Sequence, residues 1–289
     1  MDNKFTKFLL SLLKAGVVFV IMFVIELAVE FSILFFILFK MDFTYREAAT
    51  YVAKNLSLHI SVISNLLTIC ALMVGYKLLK KPLKSEFCLN VQYDKKKYLF
   101  PLVILCGICF CFFITVYLSF IESVITIPQE WIDILNENSE LQESGNVVIR
   151  ILAIVIVAPV AEEVIFRAGI LKYFMQGMPK WIAIILAAMI FGSLHAGPIG
   201  FLYATFGGMV LGWLYTLFKS IIPTVVFHIS YNAIQLIPIN YPVIVIYLLA
   251  LLFMIVFGII FYMSKKYELT LNSGESEKNE DIQYSVENN

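Results

Sequence analysis

Long apolar stretches, broken only at intervals by charged residues, dominate this chain of 289 residues. Hydrophobic residues make up 61% of the sequence and charged residues only 15%, which gives a mean hydropathy of +0.87. A water-soluble domain of this size cannot bury so much apolar surface in its own core. A membrane interior about 30 Å thick, by contrast, requires about 20 apolar residues for each helix that crosses it. The sequence therefore predicts an all-α polytopic membrane protein.

Eight stretches are predicted to be transmembrane helices. They form a single membrane domain over residues 12–263, after a short N-terminus of residues 1–11. Residues 264–289 are rich in Glu, Asn and Ser and are expected to be a disordered cytoplasmic tail. Gly197 and Pro198 shorten the fifth span. The predicted spans lie near residues 12–39, 58–79, 99–127, 147–171, 181–196, 199–218, 221–237 and 241–263.

Basic residues near the ends of spans predict which side of the membrane is cytoplasmic. The loop after the second span holds Lys80, Lys81 and the run 95–97, whereas residues 128–145 carry five acidic residues and no Lys or Arg. Both termini are therefore expected in the cytoplasm, and the Lys-, Ile- and Asn-rich usage suggests a bacterial plasma membrane. The loop after the first span departs from this pattern, because it holds Lys40, Arg46 and Lys54.

The overall charge gives no reason to expect binding to nucleic acid. Lys and Arg together number 21, as do Asp and Glu, so the formal net charge is zero. The basic second loop is interpreted as a topology signal that faces anionic lipid. Membrane lipid, rather than nucleic acid, is thus the expected partner surface.

Several ionisable side chains lie inside stretches that are otherwise apolar enough to be membrane helices, where burying charge is costly. Glu163 and Arg167 are spaced i to i+4, which places both on one helix face and favours an ion pair. His228 and Asn232 share this spacing. Because the fourth, fifth and seventh predicted spans each carry such residues, three helices can direct polar groups to one point. The ionisable residues are Glu162, Glu163, Arg167, His195 and His228.

The residue types in this set are those of a peptide hydrolase. A carboxylate and an imidazole in a restricted polar cavity can deprotonate a water molecule and pass its proton to a leaving group. A second imidazole beside an amide donor can stabilise the oxyanion that forms when this water attacks a carbonyl. No Ser or Cys spacing indicates a covalent nucleophile. The residues that fit these parts are Glu162, His195, His228 and Asn232.

The same residues carry a resemblance to a known family. The runs EEVIFR from Glu162, FGSLH from Phe191 and HISYN from His228 resemble the EExxxR, FxxxH and HxxxN motifs of the CPBP intramembrane proteases. This family includes the type II CAAX prenyl endopeptidases and the bacteriocin-processing or immunity proteins. The resemblance covers roughly residues 128–240, the expected protease core, and the first three spans lie outside it.

The resemblance implies an eight-helix membrane fold with a cavity that opens toward the cytoplasm, and a peptide or lipidated protein as substrate. By this comparison, Glu162 and His195 are the pair that activates water. His228 and Asn232 would form the oxyanion site. Supporting roles would fall to Glu163 and Arg167.

A metal site is an alternative reading of the same residues. Glu162, His195 and His228 could equally bind Zn²⁺ and leave a fourth position for water. We favour a scheme without metal, because the HExxH pairing of two histidines one turn apart is absent. Asn232 is also a poor zinc ligand and a good oxyanion donor.

Two functions of other classes are compatible with the composition. A non-catalytic immunity or scaffold protein could bind a peptide or a membrane partner through the same cavity. A transporter would need an ion path, for which Glu26 and Glu30 in the first predicted span are candidates. These two glutamates are spaced i to i+4, so we expect one or both to be protonated or paired. The absence of an inverted repeat ranks the transporter last.

Overall fold

The computed structural model describes residues 4–87, 89, 99–143, 145–237 and 241–264, which form helices and no strands. Apart from Ser264, the predicted tail lies outside the described residues. Helix α6 is continuous from Val147 to Gly177. It consists of five consecutive segments, Val147–Arg150, Ile151–Val157, Ala158–Glu162, Glu163–Leu171 and Lys172–Gly177. The others are α1 (Lys4–Lys40), α2 (Tyr45–Leu78), α3 (Leu83–Glu86), α4 (Phe100–Val124), α5 (Gln129–Glu143), α7 (Lys180–Ser193), α8 (Gly197–Phe218), α9 (Ile222–Gln235) and α10 (Val243–Ser264).

Five of these helices, α1, α2, α4, α8 and α10, are long and apolar enough to cross a membrane. They confirm that the chain is an all-α membrane protein. Each of the eight predicted spans overlaps a helix, although α7 and α9 have only 14 residues each. A helix of that length rises about 21 Å, which is less than the membrane interior of about 30 Å. Eight crossings and cytoplasmic termini therefore stay predictions.

The first two helices form a hairpin that packs on the side of α6. Helix α1 begins at Lys4, so most of the segment expected as a short N-terminus is helical. Thr44 starts α2 through a capping box, in which its side chain and that of Glu47 satisfy each other's backbone N–H groups. Helix α1 contacts the C-terminal half of α6, whereas α2 contacts its N-terminal half.

Helix α6 lies at the centre of the protein, where it contacts α1, α2, α7, α8 and α9. Its stretches Ile151–Val157 and Glu163–Leu171 are π-helical, and Pro159 lies between them. The ring of Pro159 removes a backbone donor, and the wider turns lie on both sides of it. Every residue from Glu163 to Leu171 is buried. Such π-helical turns are rare and occur frequently at functional sites.

Helices α7 and α8 pack closely because small residues face the contact. Gly200, Ala204, Gly208 and Gly212 recur every four residues on α8, and the three glycines of this stripe lie against α7 or the turn that follows it. A Cβ atom added to Gly208 would lie 3.1 Å from Cα of Ala188. The stripe thus serves packing, as its spacing predicts.

A second core, which contains α4, α8, α9 and α10, fixes the position of α9. The ring of Phe110 on α4 lies 5.4 Å from that of Phe227 and 5.1 Å from that of Phe253, measured between centroids. Gly107 lets α4 approach the backbone of α9, because an added Cβ would lie 2.5 Å from the carbonyl oxygen of Phe227. The residue after Phe227 is His228, so this packing also sets the depth of a candidate site residue.

The two ends of the bundle differ in charge. At one end, Lys172 of α6 lies 3.0 Å from the carboxylate of Glu86, in the lysine-rich region that follows α2. At the other end, where α2 and α6 begin, lies the acidic helix α5. Ile134 of α5 packs against Gly197, immediately after the turn that holds His195. Helix α5 is therefore the structural neighbour of the candidate site.

Candidate active site

Glu163 is the centre of a buried polar network. Its Oε1 atom lies 3.1 Å from the guanidinium of Arg167 and 3.0 Å from Nδ1 of His228. The other end of Arg167 donates a hydrogen bond to the carbonyl oxygen of Gly208 at 3.3 Å. Glu163 is fully buried and Arg167 is 2% exposed. A pair desolvated to this extent is stable only if its partners are retained.

The side chain of Glu162 points in a different direction from that of Glu163, because consecutive residues do not share a face of a helix. Its Oε2 atom lies 3.6 Å from Nε2 of His228. The side chain of Glu162 is 26% exposed, whereas that of Glu163 is fully buried. The structure thus places His228 between the two glutamates, with one ring nitrogen toward each. Of the two carboxylates, only that of Glu162 is accessible to a substrate.

His195 lies in the turn between α7 and α8, with one ring nitrogen engaged. Its Nδ1 atom lies 3.0 Å from the carbonyl oxygen of Phe191. A carbonyl can only accept a hydrogen bond, so Nδ1 donates to it. The ring lies 6.1 Å from that of Tyr203. Nε2 is therefore the ring nitrogen that stays available to water or substrate, and in the neutral imidazole it is an acceptor.

Asn232 lies one turn after His228 on α9. Its amide nitrogen donates a hydrogen bond of 2.8 Å to the carbonyl oxygen of Ile154, in the first π-helical stretch of α6. This bond fixes the amide and leaves its second N–H group for another acceptor. The four residues predicted as catalytic, Glu162, His195, His228 and Asn232, all line one cavity.

Phe191 connects the parts of this site and was not assigned a role from the sequence. Its ring lies 4.7 Å from that of His195 and 6.2 Å from that of His228. The guanidinium of Arg167 lies 4.9 Å from the ring centroid, within range of a cation–π interaction. Phe191 is 4% exposed. The FxxxH spacing is the signal that could have revealed this positioning role.

The cavity is large enough for a peptide segment and has a polar wall that the sequence analysis missed. Its volume is about 630 Å³, within the range of ligand sites. Helix α2 contributes hydroxyl and amide groups at helical spacing, and α1 contributes Glu26. The signal was present in the sequence as a polar stripe in an apolar span. The α2 residues are Ser57, Ser61, Ser64, Asn65 and Thr68.

The cavity extends toward the end of the bundle that holds α5. The exposed residues Ser139, Gln142 and Glu143 line it there, whereas none of the described residues at the lysine-rich end does. The sequence predicted that residues 128–145 face outward, and the resemblance implied a cytoplasmic opening. These two expectations exclude each other in this geometry, since α5 and the cavity mouth lie on the same side.

The zinc alternative, in which Glu162, His195 and His228 bind the metal, stays a prediction from the sequence. Among the described residues, no three His, Cys, Asp or Glu side chains are grouped so that they could hold a metal ion. In the set proposed from the sequence, Nδ1 of His228 is held by Glu163 and Nδ1 of His195 by the carbonyl of Phe191, so any metal would have to bind through the Nε2 atoms. The reaction proposed below uses only the side chains of the chain.

The fold and this cluster are those of a helical membrane protein with a glutamate and histidine site in its interior. Residues 144–234 match the sequence model of a family described as type II CAAX prenyl endopeptidase Rce1-like. The match confirms the resemblance to the CPBP intramembrane proteases over this segment, which contains all three motifs. It covers 91 of the 289 residues. Comparisons with curated proteins and with solved structures gave no match.

Proposed function

We propose that the protein is an intramembrane endopeptidase that hydrolyses a peptide bond of a membrane-associated or lipidated peptide. The observation that carries this proposal is the position of Glu162, which lines the cavity and lies 3.6 Å from Nε2 of His228. Glu162 offers an accessible carboxylate, and the neighbouring groups are oriented by hydrogen bonds. The family match over residues 144–234 supports peptidase activity of the CAAX type.

In the proposed reaction, Glu162 and His195 take up the proton of a water molecule between them. The hydroxide attacks the carbonyl carbon of the peptide bond, and the carbonyl oxygen becomes an oxyanion. The proton then passes to the amine nitrogen as the C–N bond breaks. This scheme uses His195 as a base because its Nδ1 atom donates to Phe191, which leaves Nε2 to accept.

The oxyanion is stabilised by His228 and Asn232. In its imidazolium form His228 carries two N–H groups, of which Nδ1–H donates to the carboxylate of Glu163. Its Nε2–H group then faces the cavity on the side of Glu162. The free N–H group of Asn232 supplies the second donor. Glu163 and Arg167 act through His228 and are positioning residues.

The experiment that tests the proposal compares the peptides that accumulate in cells carrying the wild-type chain and the Glu162→Gln variant. Gln keeps the size of the side chain and removes its base, so a substrate should accumulate only with the variant. Glu30→Gln is the matched control, because Glu30 lies on α1 and does not line the cavity. Purified Glu162→Gln protein should remain folded. Normal processing in cells that express only this variant overturns the protease assignment and favours a binding protein.

A further inference from the structure

Arg150 of α6 lies in the wall of the cavity. The chain has three arginines, of which Arg167 is paired with Glu163 and Arg46 lies exposed at the start of α2. Within the part of the chain that the structure describes, Nε of Arg150 is buried without a hydrogen-bond partner, and its side chain takes part in no ion pair. Arg150 is half-buried, so its guanidinium is available to bind an anion in the cavity.

A second unpaired donor lies at the same end of the cavity. The hydroxyl of Ser57 on α2 lines the cavity and is buried without a partner among the described residues. The next residue, Leu58, faces the segment just before Arg150, since an added Cβ at Gly145 would lie 3.9 Å from its Cδ1 atom. Glu143 also lines this end and forms no ion pair there with Arg150 in the described structure. Arg150 Nε and the Ser57 hydroxyl are therefore available to acceptors from outside the chain.

The distance between Arg150 and Glu162 determines how many residues of a bound peptide can lie between them. The two residues are twelve positions apart on α6, and both line the cavity. A rise of about 1.5 Å per residue would place them about 18 Å apart along an α-helix, and the wider π-helical turns of Ile151–Val157 shorten this distance. An extended peptide covers about 3.3–3.6 Å per residue, so the separation corresponds to up to about five residues of substrate.

We propose that Arg150 binds a carboxylate of the substrate peptide up to about five residues from the cleaved bond, which makes it a residue that determines specificity. The inference rests on the proposed function for the meaning of the cleaved bond. A carboxylate fits because a guanidinium binds it through two parallel hydrogen bonds. The carboxylate belongs either to the free C-terminus of the peptide or to an acidic side chain.

The first arm of the test measures cleavage by the purified full chain in detergent. The probes are short fluorescent peptides with an apolar N-terminal half, each made with a free C-terminus, with a C-terminal amide, or with the amide and one internal Glu. Wild-type protein should cut the first and third forms up to about five residues from the carboxylate. The Arg150→Gln variant should cut them at least about tenfold more slowly and leave the amide form unchanged. A preference for the first form over the third identifies the terminal carboxylate.

The second arm measures binding of the same probes in the Glu162→Gln background, which does not depend on turnover. Adding Arg150→Gln should weaken binding of the carboxylate probes at least about tenfold and have no effect on the amide probe. Arg46→Gln is the matched control and should change neither arm. Binding that depends on Arg150, in a wild-type chain that cuts nothing, would reject the proposed function and keep the anion site. Equal behaviour of carboxylate and amide probes, or no binding of either, overturns the inference.

Discussion

Nδ1 of His228 lies 3.0 Å from Oε1 of Glu163, although the two residues are 65 positions apart in the chain. The same glutamate oxygen lies 3.1 Å from the guanidinium of Arg167. One carboxylate thus neutralises a cation on its own helix and orients an imidazole on another. The contact between His228 and Glu163 thus fixes α9 relative to α6, and the carboxylate of Glu163 is fully buried.

Replacing Glu163 with Gln should therefore damage stability and activity by separate routes. The change leaves Arg167 as an uncompensated buried charge, which costs about 3–5 kcal/mol of unfolding free energy. The double variant Glu163→Gln/Arg167→Met removes that charge and should recover most of the loss, as thermal unfolding in detergent will show. Cleavage should stay low in the double variant, because His228 still lacks its carboxylate. Recovery of both properties together would contradict a role in orienting His228.

Arg167→Lys tests whether the guanidinium itself is required. Arg167 binds Glu163 and the carbonyl oxygen of Gly208 at once, and its flat group lies 4.9 Å from the ring of Phe191. Lys keeps the charge but presents a compact ammonium that does not reproduce this planar contact. We expect a loss of about 1–2 kcal/mol in unfolding free energy. A Lys variant as stable as the wild type would show that charge alone is sufficient.

Part of this network follows from the sequence. The spacing of Glu163 and Arg167 predicts an ion pair on one helix face, and the structure confirms it. The contact of Glu163 with His228 depends on how far α9 is inserted beside α6. That depth is set by tertiary contacts such as the approach of Gly107 to Phe227, and no local pattern encodes it.

The helices, too, can be predicted from the sequence only in part. Apolar windows predict where helices lie, because the membrane interior requires about 20 apolar residues for each crossing. They do not predict the π-helical turns around Pro159, since a π-helical turn and an α-helical turn use the same residue types. The polar wall of the cavity was also missed. From the sequence alone, the serines and Asn65 of α2 are interpreted as polar residues that a membrane span tolerates. Only the three-dimensional structure shows that they line the cavity opposite α6.

Phe191→Leu should affect catalysis more than folding. Leu keeps an apolar side chain in this buried position and removes the ring that contacts His195, His228 and Arg167. Small displacements of reacting groups are costly, so we expect kcat to fall roughly 10- to 100-fold. KM should change little. The measurement is steady-state cleavage of the substrate found by peptide profiling, and an unchanged kcat would remove Phe191 from the positioning residues.

Asn232→Asp tests the oxyanion site with almost no change of shape. The variant loses both N–H donors and places a carboxylate oxygen against the carbonyl of Ile154, where the amide donates now. Removal of one oxyanion donor costs about 10²- to 10³-fold in kcat. Asn55→Asp is the matched control, because Asn55 is exposed and makes the same kind of bond to the carbonyl of Tyr51. Equal activity of the two variants would argue against an oxyanion role for Asn232.

Gly208→Ala tests how closely α8 must approach α7 for the site to form. A Cβ atom at Gly208 would lie 3.1 Å from Cα of Ala188 and 3.2 Å from the ring of Phe191, so the helices must separate. We expect a loss of about 1–3 kcal/mol in unfolding free energy. Activity should fall too, because the carbonyl of Gly208 accepts a hydrogen bond from Arg167. Gly258→Ala on α10 is the control, since no atom lies within 4 Å of its added Cβ. That variant should be neutral or more stable by up to about 1 kcal/mol, so equal losses in both would attribute the effect to helix propensity rather than to packing.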